Sequence, residues 1–397
     1  MAVIISGTTG IKNVDGTSGT PSETGTTSTT AGVFYPAANT VAIATSSLER
    51  LRIDASGNLG IGTISPIAPL DVSGNTNVSG TAVMGSSFKR NRIINGDMRI
   101  SQRVAAASQT ITAAAALAYT VDRWYAYCTG ANATGQQIAG ATANQYRYQF
   151  TGAASVTAIG FAQRIEALNS ADLAGTTATL AVDMSNSVLT TVTWTAYYAN
   201  TTNTFGTLAS PTVTSIATGT FTVTSSIARY SVNISIPAAA TTGIQILFTV
   251  GAQTSGTWVI GNVQLETGNV ATPYERQIYT DEFLQCQRYY TKISVGAIGD
   301  VMCQGSNSST TAARLFAQFP VPMRIAPTAI ETSGTAADYS LLSIAAVTAC
   351  SAVPSFSTAT PYTATLTGTV ASGLTNGLGV VLRAAATTAY VAWSAEL

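Results

Sequence analysis

Apolar and polar residues alternate with a period of two through much of the chain. Leu180, Val182 and Met184 alternate with small or polar neighbours, as do Val192, Trp194, Ala196 and Tyr198. The pattern returns at Tyr230, Val232, Ile234 and Ile236, and again at Ile244, Ile246, Phe248 and Val250. Trp258, Ile260, Val263 and Leu265 close the series. Successive side chains of a strand point to opposite faces, so each run predicts a strand with one buried face. Turn-rich joins such as ANTTNTFG and PAAATTG separate the runs. Residues 88–276 therefore read as an antiparallel sandwich, specifically a jelly roll. A short helical turn is expected at residues 170–173, with Ser170 as its N-cap.

The flanks read differently. Residues 1–46 are rich in Gly, Thr and Ser, with a short apolar patch at Val3, Ile4 and Ile5. They are expected to form an arm without a core of its own, ordered at its start by a partner. In residues 47–87, Leu51 and Ile53 alternate with Arg50 and Arg52, SGN supplies a turn, and Leu59 and Ile61 follow. That is a hairpin, stopped by Pro66 and Pro69. A lone hairpin is marginal in water, so this shaft is expected to share its apolar face among three copies. Residues 277–290 read as a helix, with Thr280 as cap, Asp281 and Glu282 in the first turn, and Phe283, Cys286 or Gln287, and Tyr290 on one face. Residues 291–397 form a second β-region with strands expected at 315–319, 325–330, 341–347, 363–370, 379–383 and 389–393. Within it, PVPMRIAP is an edge or loop element.

Composition narrows the chemistry. Charged residues make up 9%, with 18 basic and 18 acidic side chains and no net charge. No field of one sign draws nucleic acid or an anionic membrane. Histidine is absent, which removes the commonest general base and neutral metal ligand. The four cysteines, Cys128, Cys286, Cys303 and Cys350, lack metal spacing and read as reduced, buried thiols. MAVIISGTTG lacks the basic start of a secretory leader, and Ser108, Gln109, Thr110 and Thr112 break the alanine-rich stretch at 104–118. A chain made soluble is expected. LGIGT lacks the Lys-Ser/Thr of a phosphate loop. Arg50, Arg52, Lys89, Arg90, Arg92, Arg99 and Arg103 are expected to pair between protomers with Glu49, Asp54 and Asp97. No cofactor and no metal site is expected.

Three segments carry a family resemblance. ERLRIDASGNLGIGTISP followed by PLDVSGN resembles a repeat element of bacteriophage tail-fibre shafts. FKRNRIINGDMRISQR with YTVDRWYAY resembles the start of a carbohydrate-binding-module-like jelly roll in such fibres, and GNVQLETGNVATPYERQ with DEFLQCQRYY its end. Together they span about residues 48–290. The resemblance implies an elongated virion fibre, intertwined as a homotrimer and assembled in the host cytoplasm. Its N-terminal arm would meet phage tail or baseplate proteins. Its C-terminal tip (291–397) and jelly roll would meet a host cell-surface glycan or outer-membrane receptor. No Ser-Asp dipeptide occurs, so the self-cleaving chaperone domain that often follows such shafts is absent or already removed. The pattern brings no catalytic residue, and no enzyme is expected.

Aromatic rings are the leading site candidates, because sugars offer flat CH faces for stacking. In DRWYAYC, Trp124 shares a face with Ala126 and Cys128, so Tyr125 and Tyr127 point the other way. Trp194 and Tyr198 lie on an apolar face, leaving Tyr197 among threonines. Tyr362 sits in the turn-like STATPYTAT. Tyr125, Tyr127, Tyr197 and Tyr362 are therefore the expected carbohydrate-binding residues; packing under a loop or against another protomer is the bland alternative. Tyr390 and Trp393 are expected in a trimer core. A polysaccharide depolymerase is the rival function. Its acid pairs would come from Asp172 with Asp183, Glu166 with Asp183, or Asp281 with Glu282.

Overall fold

The runs of alternating residues form strands, and the chain is all-β apart from short helices. The computed structural model describes residues 14–76, 89–104, 106–113, 117–140, 145–344 and 346–397. The patch at Val3, Ile4 and Ile5 and the sandwich's expected first residue, Phe88, lie outside them. The chain divides into two units, Met1–Gly85 and Ser86–Leu397.

In the first unit, Glu23–Gly25, Ser28–Phe34, Val41–Thr45, Leu48–Ile53, Leu59–Ile61 and Leu70–Val72 lie side by side in sequence order. The expected hairpin pairs Leu51 with Ile61 and Ile53 with Leu59. Its loop is closed by Asp54, whose carboxylate accepts the N–H groups of Ser56 and Asn58. Those bonds hold the carboxyl below its usual range. The expected border between arm and shaft at residues 46/47 falls inside a tight turn of this same sheet. Ser46 and Ser47 both adopt positive φ (52° and 61°), the conformation that joins two adjacent strands with the right twist. Strand pairing thus runs through the border from the arm.

One face of this sheet is aliphatic. Val33, Ile43, Leu51, Ile61 and Val72 form one cross-strand row, and Val41, Ile53, Leu59 and Leu70 the next. Val41, Ile43, Ile53, Ile61 and Leu70 are exposed. Among the described residues, this unit's buried apolar cluster is Phe34, Ala42 and Ala44.

The second unit contains the jelly-roll-like sandwich, two six-stranded antiparallel sheets. One orders Ala228–Ser235, Thr177–Asn186, Thr257–Thr267, Tyr146–Thr151, Ala133–Ala139 and Gln109–Ile111. The other orders Val213–Thr222, Thr191–Ala199, Ile244–Val250, Ala158–Ile165, Trp124–Thr129 and Ala118–Tyr119. Their inner faces share one core. Phe161 is its hub, stacked on Trp124 (ring centroids 4.7 Å apart) and Tyr148 (5.3 Å), with Phe150 edge-on at 5.2 Å.

Several local expectations shift. Ser170 precedes the 3₁₀ turn Ala171–Leu173 but makes no capping bond, because its hydroxyl donates to the Glu166 carbonyl. The long helix is Tyr279–Gln287, shorter than expected. Its N-cap is the extended Ile278, whose carbonyl accepts the Glu282 N–H, so Thr280 lies inside. Cys286 and Gln287 are buried as its inner face, whereas Tyr290 opens the strand Tyr290–Ser294.

Residues 290–397 add a seven-stranded and a three-stranded sheet around Leu315, Tyr339, Leu341, Leu366, Leu382 and Trp393. No strand forms at 325–330, where Pro327 lacks a donor; the two-residue strand Glu331–Thr332 comes next. The single strand expected at 341–347 is two, Tyr339–Ser343 and Ala346–Ala349, turned at Ile344 with φ +57°. Trp393 is fully buried against Phe319 in the core of this chain's own C-terminal region.

The four cysteines are free and buried. Two of the expected partners, Glu49 and Asp97, take their arginines within the chain, and Arg92 finds a carboxylate that was not among those expected. Arg52 meets Glu49 at 2.6 Å, Arg99 meets Asp97 at 3.4 Å, and Arg92 pairs with Asp172. Residues 395–397 return to the sandwich. Arg123 and Arg103 pair with Glu396, Arg324 donates to the carbonyls of Ala395 and Glu396, and Arg164 donates to the main-chain oxygen of Leu397.

Candidate functional site

The outer face of the second sandwich sheet carries the site. Strand register places Tyr197, Gln245 and Arg164 side by side in one cross-strand row. The next row holds Thr195, Leu247, Ala162 and Tyr125, and the one beyond holds Thr193, Thr249, Gly160 and Tyr127. In the neighbouring strand Val213–Thr222 a bulge at Ile216 shifts the pairing between Ala196 and Tyr197, while Tyr197 keeps its regular register opposite Gln245.

A loop closes one side. Gly206 bridges to Pro211, and the Phe205 carbonyl accepts the Thr212 N–H. Beneath it a cleft of about 180 Å³ is lined by Tyr125, Tyr127, Tyr197, Arg164, Gln245 and Leu247, with Phe205, Leu208 and Pro211 from the loop. This is smaller than pockets for drug-sized ligands, about 300–1,000 Å³, and suits the edge of one ring.

Three of the four expected tyrosines therefore meet. Their exposure differs from expectation. Tyr125 does point away from Trp124, yet it is only 2% exposed and forms the floor under the loop. Its hydroxyl is raised well above its ordinary pKa by burial, partly opposed by Arg164. Tyr127 lies across Gly160; a Cβ there would sit 2.1 Å from the ring, so glycine is what lets the ring lie flat. Burial, and then the neighbouring Tyr197, push the Tyr127 hydroxyl upward. Tyr362 is 63% exposed, as expected, at the turn before Thr363–Thr369, but it belongs to the seven-stranded sheet and does not line the cleft.

Arg164 and Gln245 escape an aromatic-centred reading. Arg164 is buried and donates to Gln245 Oε1 (3.0 Å), the Gly206 carbonyl (3.0 Å) and the Leu397 main-chain oxygen (2.7 Å). It thus holds a wall and the loop together. The signal in the sequence is a polar residue at an outward position of an otherwise apolar strand, in AIGFAQRI and IQILFTV.

The carboxylates of the rival reading are committed elsewhere. Asp172 pairs with Arg92, Asp183 with Arg229, Glu166 with Arg288, Asp281 with Lys89 and Glu282 with Arg99. None lines the cleft. Among the described residues no group of three or more His, Cys, Asp or Glu could hold a metal ion.

No family model matches the chain, and no curated protein matches its sequence. Solved structures resemble part of it. A CBM4 structure is 15% identical over 44% of this chain and 98% of its own, with a TM-score of 0.29. TmCBM61, solved with β-1,4-galactotriose, is 10% identical over 36% of this chain and 88% of its own, at 0.26. The enzymatically active domain of tailspike protein 4 from bacteriophage CBA120 is 14% identical over 45% of this chain but 22% of its own, at 0.28. Likeness of that degree says nothing of this chain's ligand.

Proposed function

We propose that this chain is a glycan-binding subunit of a bacteriophage tail fibre, working as a homotrimer that adsorbs to a host surface. The observation that carries the reading is the convergence of Tyr125, Tyr127 and Tyr197 with the Arg164–Gln245 pair on one outer sheet face. A sugar's CH face would stack on the Tyr197 and Tyr127 rings, while amide and hydroxyl groups at the rim would meet its hydroxyls. Each contact is weak. Three copies per fibre would multiply it through avidity. Tyr362 would be a further contact on the distal β-region, and the N-terminal residues would meet the tail or baseplate. The role is binding, with no step of cleavage; sustained release of new reducing ends from host polysaccharide would favour the depolymerase instead.

Tyr197→Ala is expected to weaken binding to host-surface polysaccharide about tenfold, or about 1.4 kcal/mol, at nearly unchanged melting temperature. Affinity electrophoresis checks it. Unchanged mobility shift would sink the cleft as the site.

The aliphatic face of the first unit supports the trimer. Nine aliphatic side chains in two rows on one sheet face, in a chain without net charge, need cover, and further copies of the same face supply it. Light scattering should give three times 40.7 kDa. Ile43→Asp should shift the mass towards one chain; a wild-type monomer at micromolar concentration would refute this assembly.

A further inference from the structure

We propose that a second pocket, apart from the tyrosine cleft and independent of it, binds a compact anion: the carboxylate or phosphate group of an acidic glycan. It lies where the segment at 89–94 meets the short helix Ala167–Ser170 and the helix Tyr279–Gln287, and its volume is about 310 Å³. The lining brings together three cations, Lys89, Arg92 and Arg288, and three amide side chains, Asn91, Asn169 and Gln285, with no carboxylate. In a chain with only 9% charged residues, three cations on one concavity is a strong local bias.

Each cation has one carboxylate partner. Arg92 pairs with Asp172, Arg288 places Nη2 3.2 Å from Glu166 Oε2, and Lys89 Nζ is 3.9 Å from Asp281 Oδ2. These three carboxylates stand outside the lining. Asp172 is 57% exposed at its side chain, and such surface pairs hold their partners only weakly. Donors remain. The Arg92 Nε–H is buried and has no hydrogen-bond partner, and a guanidinium has five N–H groups in a planar fork that suits carboxylate and phosphate alike. Asn91 is fixed by its bonds to Ile93, Leu265 and Val263, which sets the pocket wall. A neutral sugar brings no charge for these three cations to meet.

The test is titration of the full chain, by calorimetry or NMR, with galacturonic acid, inorganic phosphate and galactose in turn. Galacturonate or phosphate should bind, galactose should not bind here, and raising NaCl from 20 to 300 mM should weaken binding at least threefold. The Lys89→Gln/Arg92→Gln double variant should lose about tenfold, whereas Tyr197→Ala should leave anion binding unchanged. Binding of galacturonate alone places a uronic acid in the pocket, and binding of phosphate alone a phosphorylated sugar; either supports the site. If neither anion binds, or the double variant keeps full affinity, the proposal is overturned. Should the double variant fail to fold, Lys89→Gln alone, at a side chain 68% exposed, is expected to lose two- to threefold.

Discussion

Glu396→Ala is expected to destabilise the second unit by about 3–5 kcal/mol, because it leaves the Arg123 guanidinium buried without its counter-charge. Arg123 is about 1% exposed at its side chain and Glu396 about 4%. What stays with Arg123 is the Arg164 carbonyl and the face of Tyr289, 3.4 Å from its guanidinium carbon. Neither replaces an anion. The backbone at Arg123 has φ +73°, a left-handed conformation that costs a non-glycine residue roughly 1–2 kcal/mol. The ion pair helps to hold that geometry. A fall in melting midpoint on the order of 10 °C should follow. Replacing both partners, Arg123→Met with Glu396→Met, should recover much of the loss, since an apolar pair removes the stranded charge. A loss below about 1 kcal/mol for Glu396→Ala would mean that water reaches Arg123.

Phe161→Ala should cost a similar amount, about 3–5 kcal/mol, by a different route. Its ring contacts Trp124, Tyr148 and Phe150 at once, and all four are buried. These neighbours come from strands of both sheets, so collapse into the void would require both to move. A urea titration checks this: the midpoint should fall while the slope stays constant. A changed slope would point to loosening of the whole sandwich.

Strand phase was the most readable property. It put Trp124 inward and Tyr125 and Tyr127 outward, and the structure agrees, because a period of two is a local property of the backbone. It could not show that Tyr125 would be covered. The loop that hides it contributes Phe205 and Pro211, some 80 residues further along, and only the closed fold brings them near. Arg164 was unread for the same reason, since its partners Gln245, Gly206 and Leu397 are all distant in sequence. Errors at element ends came from local competition. Ile278 began the helix ahead of Thr280, and the Ser46–Ser47 turn joined what low complexity had suggested was separate. The aliphatic face of the first unit was legible as alternation, but its extent, with Val41 and Ile43 joining the shaft residues, emerged only with the strand register.

The link from Arg123 to Glu396 spans 273 positions. At about 5–20 residues per second, a ribosome needs roughly 14–55 s to make the second after the first. Through that interval Arg103, Arg123 and Arg164 have no access to residues 395–397, so the sandwich core can condense early while its cationic rim stays hydrated. Nascent chains stalled before residue 395 should accordingly be far more open to protease at this rim than released ones.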